Sequence, residues 1–397
     1  MLSETSAATV RATLPAVGAA LGEITERFYA RLFAAHPELL RDLFNRGNQA
    51  AGIQRQALAL AGAVAAFATH LLDHPDQRPD AMLGRIAHKH ASLGVAPEQY
   101  AVVHEHLFAA IAAVLGEAVT PDVAAAWDEV YWLMANALVA IEKRLYEESG
   151  GLQGLRPWEV VGRVAETADV VTFRVRPAAG GTAVRGFRAG QYVSVGVTLP
   201  DGARQIRQYS LSGAPGESVR QFSVNRDGGV SRHPHARAAG RPPPALAPPY
   251  GDLVLDGDGA DGRPLLLASA GIGVTPMVAM LAVLAADGHR APVTVVHGDR
   301  SPADHALRAD HTAYAAKLPD ASVHLFYERD GQPGTRNGLV DLTDVPVHPG
   351  TRAYLCGPLP FMRAVRTQLL AKGVPPADVH YEVFGPDLWL AAAAAGA

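Results

Sequence analysis

LLLASAGIGVTPM, residues 265–277, reads as a buried strand, a glycine turn and the start of a helix. The unbroken apolar run Leu265–Ala268 suits a strand covered on both faces. Gly271 and Gly273 let the backbone approach a ligand closely. A helix N-terminus there offers unpaired N–H groups to a pyrophosphate, and Pro276 suits a first helical turn. The stretch is not GxGxxG, because Pro276 stands where the third glycine would be. Downstream, apolar strands (VTVVH, VHLFYE, AYLC) alternate with helical stretches at 275–288, 303–317 and 359–373. That alternation predicts an open, parallel, doubly wound α/β sheet.

Upstream, the pattern changes to short β-branched and aromatic runs between Gly/Pro turns: WEVVGRV, VVTFRVR, GQYVSVGVT, RQIRQYSL and VRQFSVNR. Five or six strands at this spacing predict a small antiparallel barrel. Further upstream, residues 1–150 hold only 6 of the 29 prolines, so long helices are allowed there. Four apolar stripes follow the three-or-four spacing of amphipathic helices. They are Leu21/Ile24/Phe28/Leu32, Leu60/Val64/Phe67/Leu71, Tyr100/Val103/Leu107/Ile111/Val114 and Val130/Met134/Leu138/Ile141/Leu145. The glycine-rich EESGGLQGLRP, 147–157, reads as a linker.

Composition narrows the function. The 397-residue chain is 48% hydrophobic and 19% charged, with a net charge of −4. No basic surface advertises nucleic acid. The one cysteine, Cys356, excludes a disulfide framework, a cysteine zinc site and an iron–sulfur cluster, and fits a reducing cytoplasm. The start lacks the pattern of a secretory signal. The apolar run at 57–68 falls short of the ~20 residues that span a bilayer.

In order come GQYVSV, RQYSL, SAGIGVTPM, YLCGP and YEVFGP. Together they resemble the ferredoxin–NADP reductase superfamily over about residues 155–386. The resemblance implies FAD in the barrel, contacted by Tyr192, Arg207, Gln208, Tyr209 and Ser210. It implies NAD(P)H in the α/β domain, lined by Gly271, Ile272, Gly273, Val274, Thr275 and Pro276 and by Cys356, Gly357 and Pro358. Val383, Phe384, Gly385 and Pro386 close the flavin site. Cys356 is read as a small residue ending a strand beside the cofactor, not as a nucleophile. The pattern breaks at the Pro-rich island 232–246, where Pro234 and Pro242–Pro244 cannot form a central strand. FAD phosphate contacts near Ser231 lose their support there.

A reductase needs an acceptor. RIAHKHASLG, 85–94, puts His88 and His90 on nearly opposite helix faces, so at most one meets a common pocket. With FYARLF, PELLRDLFN, NQAAGIQRQAL and the closing helix at 126–148, the first part resembles the globin domain of flavohaemoglobins. That match makes His90 the proximal haem ligand and Phe44 a ring against the haem. It makes Tyr29 and Gln54 distal donors to dioxygen, and Tyr100 and Glu142 the network behind His90. Lys89 falls at a position that tunes the cofactors. Without the match, Tyr100 reads as a core helix residue and Glu142 as a solvated one.

The expected organisation is an all-α globin domain (1–147), a linker (148–156), an antiparallel β-barrel FAD domain (157–262) and an α/β doubly wound NAD(P) domain (263–397). The resemblance implies one haem b, one FAD and NAD(P)H as donor, in a monomeric cytoplasmic nitric oxide dioxygenase. Such an enzyme takes O2 and nitric oxide to nitrate, with no nucleic acid and no membrane span. Two other readings stay open at this point. One is a flavin reductase serving an external acceptor; the other is a gas-binding sensor or storage globin with an idle flavin site.

Overall fold

The computed structural model describes residues 1–42, 49–179, 186–199, 202–225, 244–255 and 262–385, the side chains at 40–42, 49–59 and 61 excepted. Phe44, Gln54, Pro386 and all but the end of the Pro-rich island therefore lie outside the described side chains. Two compact units emerge. One is Met1–Leu155 with Thr198–Ile206 and the chain from Gly385; the other is Arg156–Val197 with Arg207–Phe384.

The first unit is helical: α1 (Glu4–Ala35), α2 (Pro37–Asp42), α3 (Gln49–Asp73), α4 (Asp80–Leu93), α5 (Glu98–Leu115) and α6 (Pro121–Glu148). Local chemistry sets the ends. The Ser3 hydroxyl caps α1 and Thr120 caps α6, with Pro121 at its first position. Gly94, at φ 77°, ends α4 in the left-handed conformation, its N–H returning to the His90 and Ala91 carbonyls. The four stripes face one core in which Ile24, Phe28, Leu32, Phe67, Leu107, Val130, Met134 and Leu138 are buried. Leu60, Val64, Ile86, Val95, Val103 and Ile141 pack on that core while staying only half-buried. Among the described residues, Glu98–Ala118 is long and apolar enough to cross a membrane by length and composition alone. Tyr100, Leu107 and Ala110 of α5 are nonetheless buried in the helical core.

The second unit carries two six-stranded sheets. The first contains β1 (Arg156–Ala165), β2 (Val170–Pro177), β3 (Tyr192–Thr198), β4 (Arg204–Ser210), β5 (Arg220–Asn225) and β6 (Ala245–Leu246), in the order β4-β3-β6-β1-β2-β5. The pairings of β1 with β2 and β6, of β2 with β5 and of β3 with β6 are antiparallel. Trp158, Phe173, Val193, Leu211 and Phe222 fill its interior. Directly after Pro242–Pro244, only Ala245–Leu246 serve as strand between β3 and β1. A proline run leaves no longer ladder to build there.

The second sheet is built from parallel pairs: β7 (Leu265–Ala270), β8 (Val293–Asp299), β9 (Ala321–Tyr327), β10 (Arg336–Asn337), β11 (Arg352–Cys356) and β12 (Val379–Glu382), ordered β10-β9-β8-β7-β11-β12. Helices α7 (Val274–Ala286), α8 (Arg308–Ala315) and α9 (Leu359–Ala371) connect or follow its strands. From β7 the chain moves outward through β8 and β9, then returns to lay β11 and β12 on the other side. The order thus reverses between β7 and β11. The expected helix at 303–317 is shorter: α8 begins only at Arg308, because Leu307 holds φ 54°, a left-handed conformation that breaks a right-handed helix.

Candidate functional site

His90 sits in the last turn of α4, where the Gly94 cap fixes the backbone. Its Nδ1 lies 2.9 Å from Glu142 Oε1 and 2.8 Å from the Tyr100 hydroxyl. The Tyr100 hydroxyl donates to the same Glu142 oxygen at 2.5 Å. With Nδ1–H assigned as donor to the carboxylate, Nδ1, the Tyr100 hydroxyl and Glu142 Oε1 are all paired. Glu142 is 2% exposed, so the solvated reading of that residue does not hold. Its position on the buried face of α6 explains why. Burial and the Glu142 carboxylate push the Tyr100 hydroxyl far above its ordinary pKa, which keeps it a donor. Tyr131, which carries no motif in the sequence, braces this arrangement by donating to the Tyr100 carbonyl at 2.6 Å.

Nδ1 being engaged, Nε2 is the ring nitrogen left to face a ligand. The His90 side chain is 32% exposed, so it stands at an opening rather than inside the core. Tyr29 is buried on α1 between the rings of Phe28 and Phe33, with centroids at 4.8 and 5.3 Å. Burial raises its pKa well above the ordinary phenol value, so its hydroxyl stays protonated. Lys89 Nζ donates to the Gly385 carbonyl at 2.7 Å within the first unit.

In the second unit the glycine turn lies at the order reversal, where open α/β sheets leave a crevice beyond the strand ends. Gly271, at φ 52°, and Ile272 form one tight turn with Gly273, and Val274–Pro276 begin α7. Thr275 Oγ1 ties the turn by donating to the Ile272 carbonyl at 2.9 Å. A Cβ on Gly273 would lie 2.2 Å from the Cys356 carbonyl oxygen, and one on Gly357 would lie 3.0 Å from Ala270 N. The ends of β7 and β11 therefore close on each other with no room for side chains. Gly271–Pro276 and Cys356–Pro358 thus meet at the carboxyl ends of β7 and β11.

Cys356 is wholly buried. Burial, with Glu382 opposite it on β12, holds its thiol well above the ordinary value, the wrong direction for a nucleophile. Glu382 is itself buried and was not singled out from the sequence. Its YEVFGP context showed a motif, but not the register that sets it beside Cys356.

In the first sheet, Arg207, Gln208, Tyr209 and Ser210 end β4. Burial lowers the Arg207 pKa without threatening its charge. The Tyr209 ring stacks on Phe222 at 5.5 Å. Ser210 is 4% exposed and its Oγ has no hydrogen-bond partner among the described residues, an uncommon state for a buried hydroxyl. Tyr192 is buried and exchanges both backbone hydrogen bonds with Tyr250, at 2.8 and 2.9 Å. After β12, Val383 is buried and Phe384 is 45% exposed. Gly385 follows at φ 111°.

Comparison with known proteins agrees with this layout. The globin family model matches residues 26–138, and the oxidoreductase NAD-binding domain model matches 267–367. A flavohemoprotein of Bordetella parapertussis is 42% identical, covering 97% of this chain and 99% of the relative. The crystal structure of a flavohemoglobin from Malassezia yamatoensis with bound FAD and heme is 36% identical, at a TM-score of 0.86 over 97% of this chain and 100% of that one. The Flavohem-like FAD/NAD binding domain of nitric oxide dioxygenase from Vibrio cholerae is 33% identical, at a TM-score of 0.53 over 58% of this chain and 99% of that one.

Proposed function

The chain belongs to the flavohaemoprotein family, and on that footing we propose that it is an NAD(P)H-dependent nitric oxide dioxygenase that forms nitrate from nitric oxide and O2. The single observation that carries this reading is the His90–Glu142–Tyr100 triad. It spends Nδ1 on a buried carboxylate and leaves Nε2 to face the opening.

The residues present fit the three groups the family uses. For haem, His90 supplies a neutral imidazole ligand. Half-buried Val64, Ile86, Val95 and Val103 supply apolar walls. For FAD, the unpartnered buried Ser210 hydroxyl and the Arg207 guanidinium supply polar contacts. For NAD(P)H, Gly271, whose Cβ position is open, and the backbone that begins α7 would give the close approach that a pyrophosphate needs. When bound, these groups supply hydride acceptance, single-electron transfer and oxygen chemistry.

The chain's own residues do the rest. Glu142 accepts a hydrogen bond from Nδ1–H and gives His90 partial imidazolate character, which raises its strength as a ligand. Tyr100 donates to Glu142 and restrains it from taking that proton outright. The protonated Tyr29 hydroxyl would supply a hydrogen-bond donor to an oxygen ligand of the haem. Gln54 is assigned the same duty and Phe44 the haem-facing ring. Lys89, held at the Gly385 carbonyl, is assigned to cofactor tuning. Phe384 closes the flavin site with Val383, Gly385 and Pro386. The three-domain division at 147, 157 and 263 remains our reading of how these duties are shared, and the single cysteine supports a reducing cytoplasm.

Nitric oxide consumption with NADH and O2 tests the proposal. One nitrate should appear for each nitric oxide lost. His90→Ala should lose haem and activity together; a fully active His90→Ala protein would overturn the ligand assignment.

A further inference from the structure

Three buried histidines lie outside the chemistry above. His297 is on β8, His305 lies in the segment between β8 and α8, and His311 is on α8; none exceeds 3% exposure. The rings of His297 and His305 stack with centroids 3.9 Å apart. His311 stands edge-on to them at 5.6 and 5.3 Å. Hydrogen bonds join the group to the sheet: Ser269 Oγ with His297 Nδ1 at 2.9 Å, and the Tyr327 hydroxyl with His305 Nδ1 at 2.9 Å. His305 Nε2 and His311 Nδ1 are 3.3 Å apart, while His311 Nε2 has no partner.

The cluster underlies the glycine turn from two directions. Ser269 stands two residues before Gly271 on β7. Leu307, two residues after His305, packs with Val274 and Val278 of α7, the helix that the turn opens. Leu307 holds φ 54°, a conformation that costs a non-glycine residue on the order of 1 kcal/mol and persists only where surrounding packing imposes it. Its N–H donates to Glu166 Oε2 at 3.3 Å. His305 is thus the buried pin of a strained segment that supports the first turns of α7.

We propose that His297, His305 and His311 form a pH-sensitive positioning element beneath the Gly271–Pro276 turn, holding the nucleotide site in shape while all three rings are neutral. The proposal rests on reading that turn as the nucleotide site. Each packed element shows why protonation is poorly tolerated. Strand β7 presents only the Ser269 hydroxyl. Strand β8 presents the one nearby carboxylate, Asp299, 3.5 Å from His297 Nε2. Strand β9 presents the neutral Tyr327 hydroxyl. Helix α8 presents Arg308, which repels a charge on His305. Asp304 is already engaged by Arg300 at 2.7 Å and Arg329 at 3.5 Å. Asp299 can steady one cation on His297. A further proton must go to a ring stacked on it or edge-on to it, with no second acid in reach. Burial lowers the proton affinity of all three, opposed at His297 by Asp299, and repulsion from neighbouring rings lowers it further at His305 and His311; each relieves that cost by leaving the cluster. Release of His305 frees Leu307 from Val274 and Val278, and the turn loses its support.

The test is ADP-ribose binding by calorimetry to the full-length, haem- and FAD-loaded protein at pH 7.5 and 5.5. The pyrophosphate of this probe does not titrate over that range. Where the open form prevails, uptake of one proton on opening weakens binding by up to about tenfold per pH unit below the ordinary histidine pKa of about 6.5. We expect Kd to rise by up to about tenfold at pH 5.5 with the circular dichroism unchanged. The neutral replacements His305→Gln and His311→Phe should flatten that rise. A wild-type Kd unchanged between the two pH values would overturn the proposal, and so would an undiminished rise in both variants. No ADP-ribose binding at pH 7.5 would overturn the nucleotide reading beneath it.

Discussion

Tyr100 and Glu142, on different helices and 42 positions apart, are joined by a 2.5 Å hydrogen bond, and His90 Nδ1 approaches the same carboxylate oxygen at 2.9 Å. The three residues behave as one unit. Replacing any of them leaves a buried polar atom of the others short of a partner, at a cost of about 1–3 kcal/mol.

Glu142→Gln should keep the fold and the haem but weaken the ligand. We expect nitric oxide turnover to fall by about 10–100-fold, the range for partners that orient a metal ligand. The iron–histidine stretch in the resonance Raman spectrum should move to lower frequency. An unchanged stretch would show that the carboxylate does not act on the histidine.

Tyr29→Phe removes a protonated donor while leaving its packing against Phe28 and Phe33. Loss of one such donor costs about 10²–10³-fold. Flash photolysis should report O2 dissociating faster by that order, with thermal stability little changed.

Gly273→Ala should act on the nucleotide side alone. Its Cβ would meet the Cys356 carbonyl at 2.2 Å, and backbone on both sides leaves no flexible atom to yield. Overpacking of this kind costs about 1–3 kcal/mol. Flavin reduction by NADH in a stopped-flow instrument should slow or saturate at higher NADH, while the Soret band stays in place.

Acid should destabilise the second unit. His297, His305 and His311 all have lowered pKa values in the folded state, that of His311 down to about 3, with burial the first cause in each. The unfolded chain therefore binds more protons below about pH 6.5, and stability falls as pH falls through that value. The slope approaches about 1.4 kcal/mol per pH unit for each histidine that stays neutral in the native protein. Urea unfolding of the second unit should show a lower midpoint at pH 5.5 than at 7.5, and the His311→Phe variant should lose part of that difference.

What the sequence made legible follows from periodicity and motif. The helical stripes placed Phe28, Leu107 and Val130 in the core, and 265–277 forms the expected strand, turn and helix start. His90, Tyr100 and Glu142 came from a family match; spacing alone left Glu142 in solvent, because a lone acid on a helix gives no sign of a partner 52 residues away. The expected helix at 303–317 failed at its start for a related reason. Ala306 and Leu307 are good helix formers, yet tertiary burial of His305, Ala306 and Leu307 overrides that propensity. The histidine cluster went unread because its members meet only when β7, β8, β9 and α8 are assembled.

The central claim is that electrons from a nucleotide reach a haem held by His90. Anaerobic stopped-flow mixing of NADH with the loaded, full-length protein under carbon monoxide tests it most directly. The account predicts flavin bleaching followed by the Soret shift of the reduced carbonyl haem, with the shift absent in His90→Ala. Flavin bleaching with a haem that never becomes reduced would contradict it.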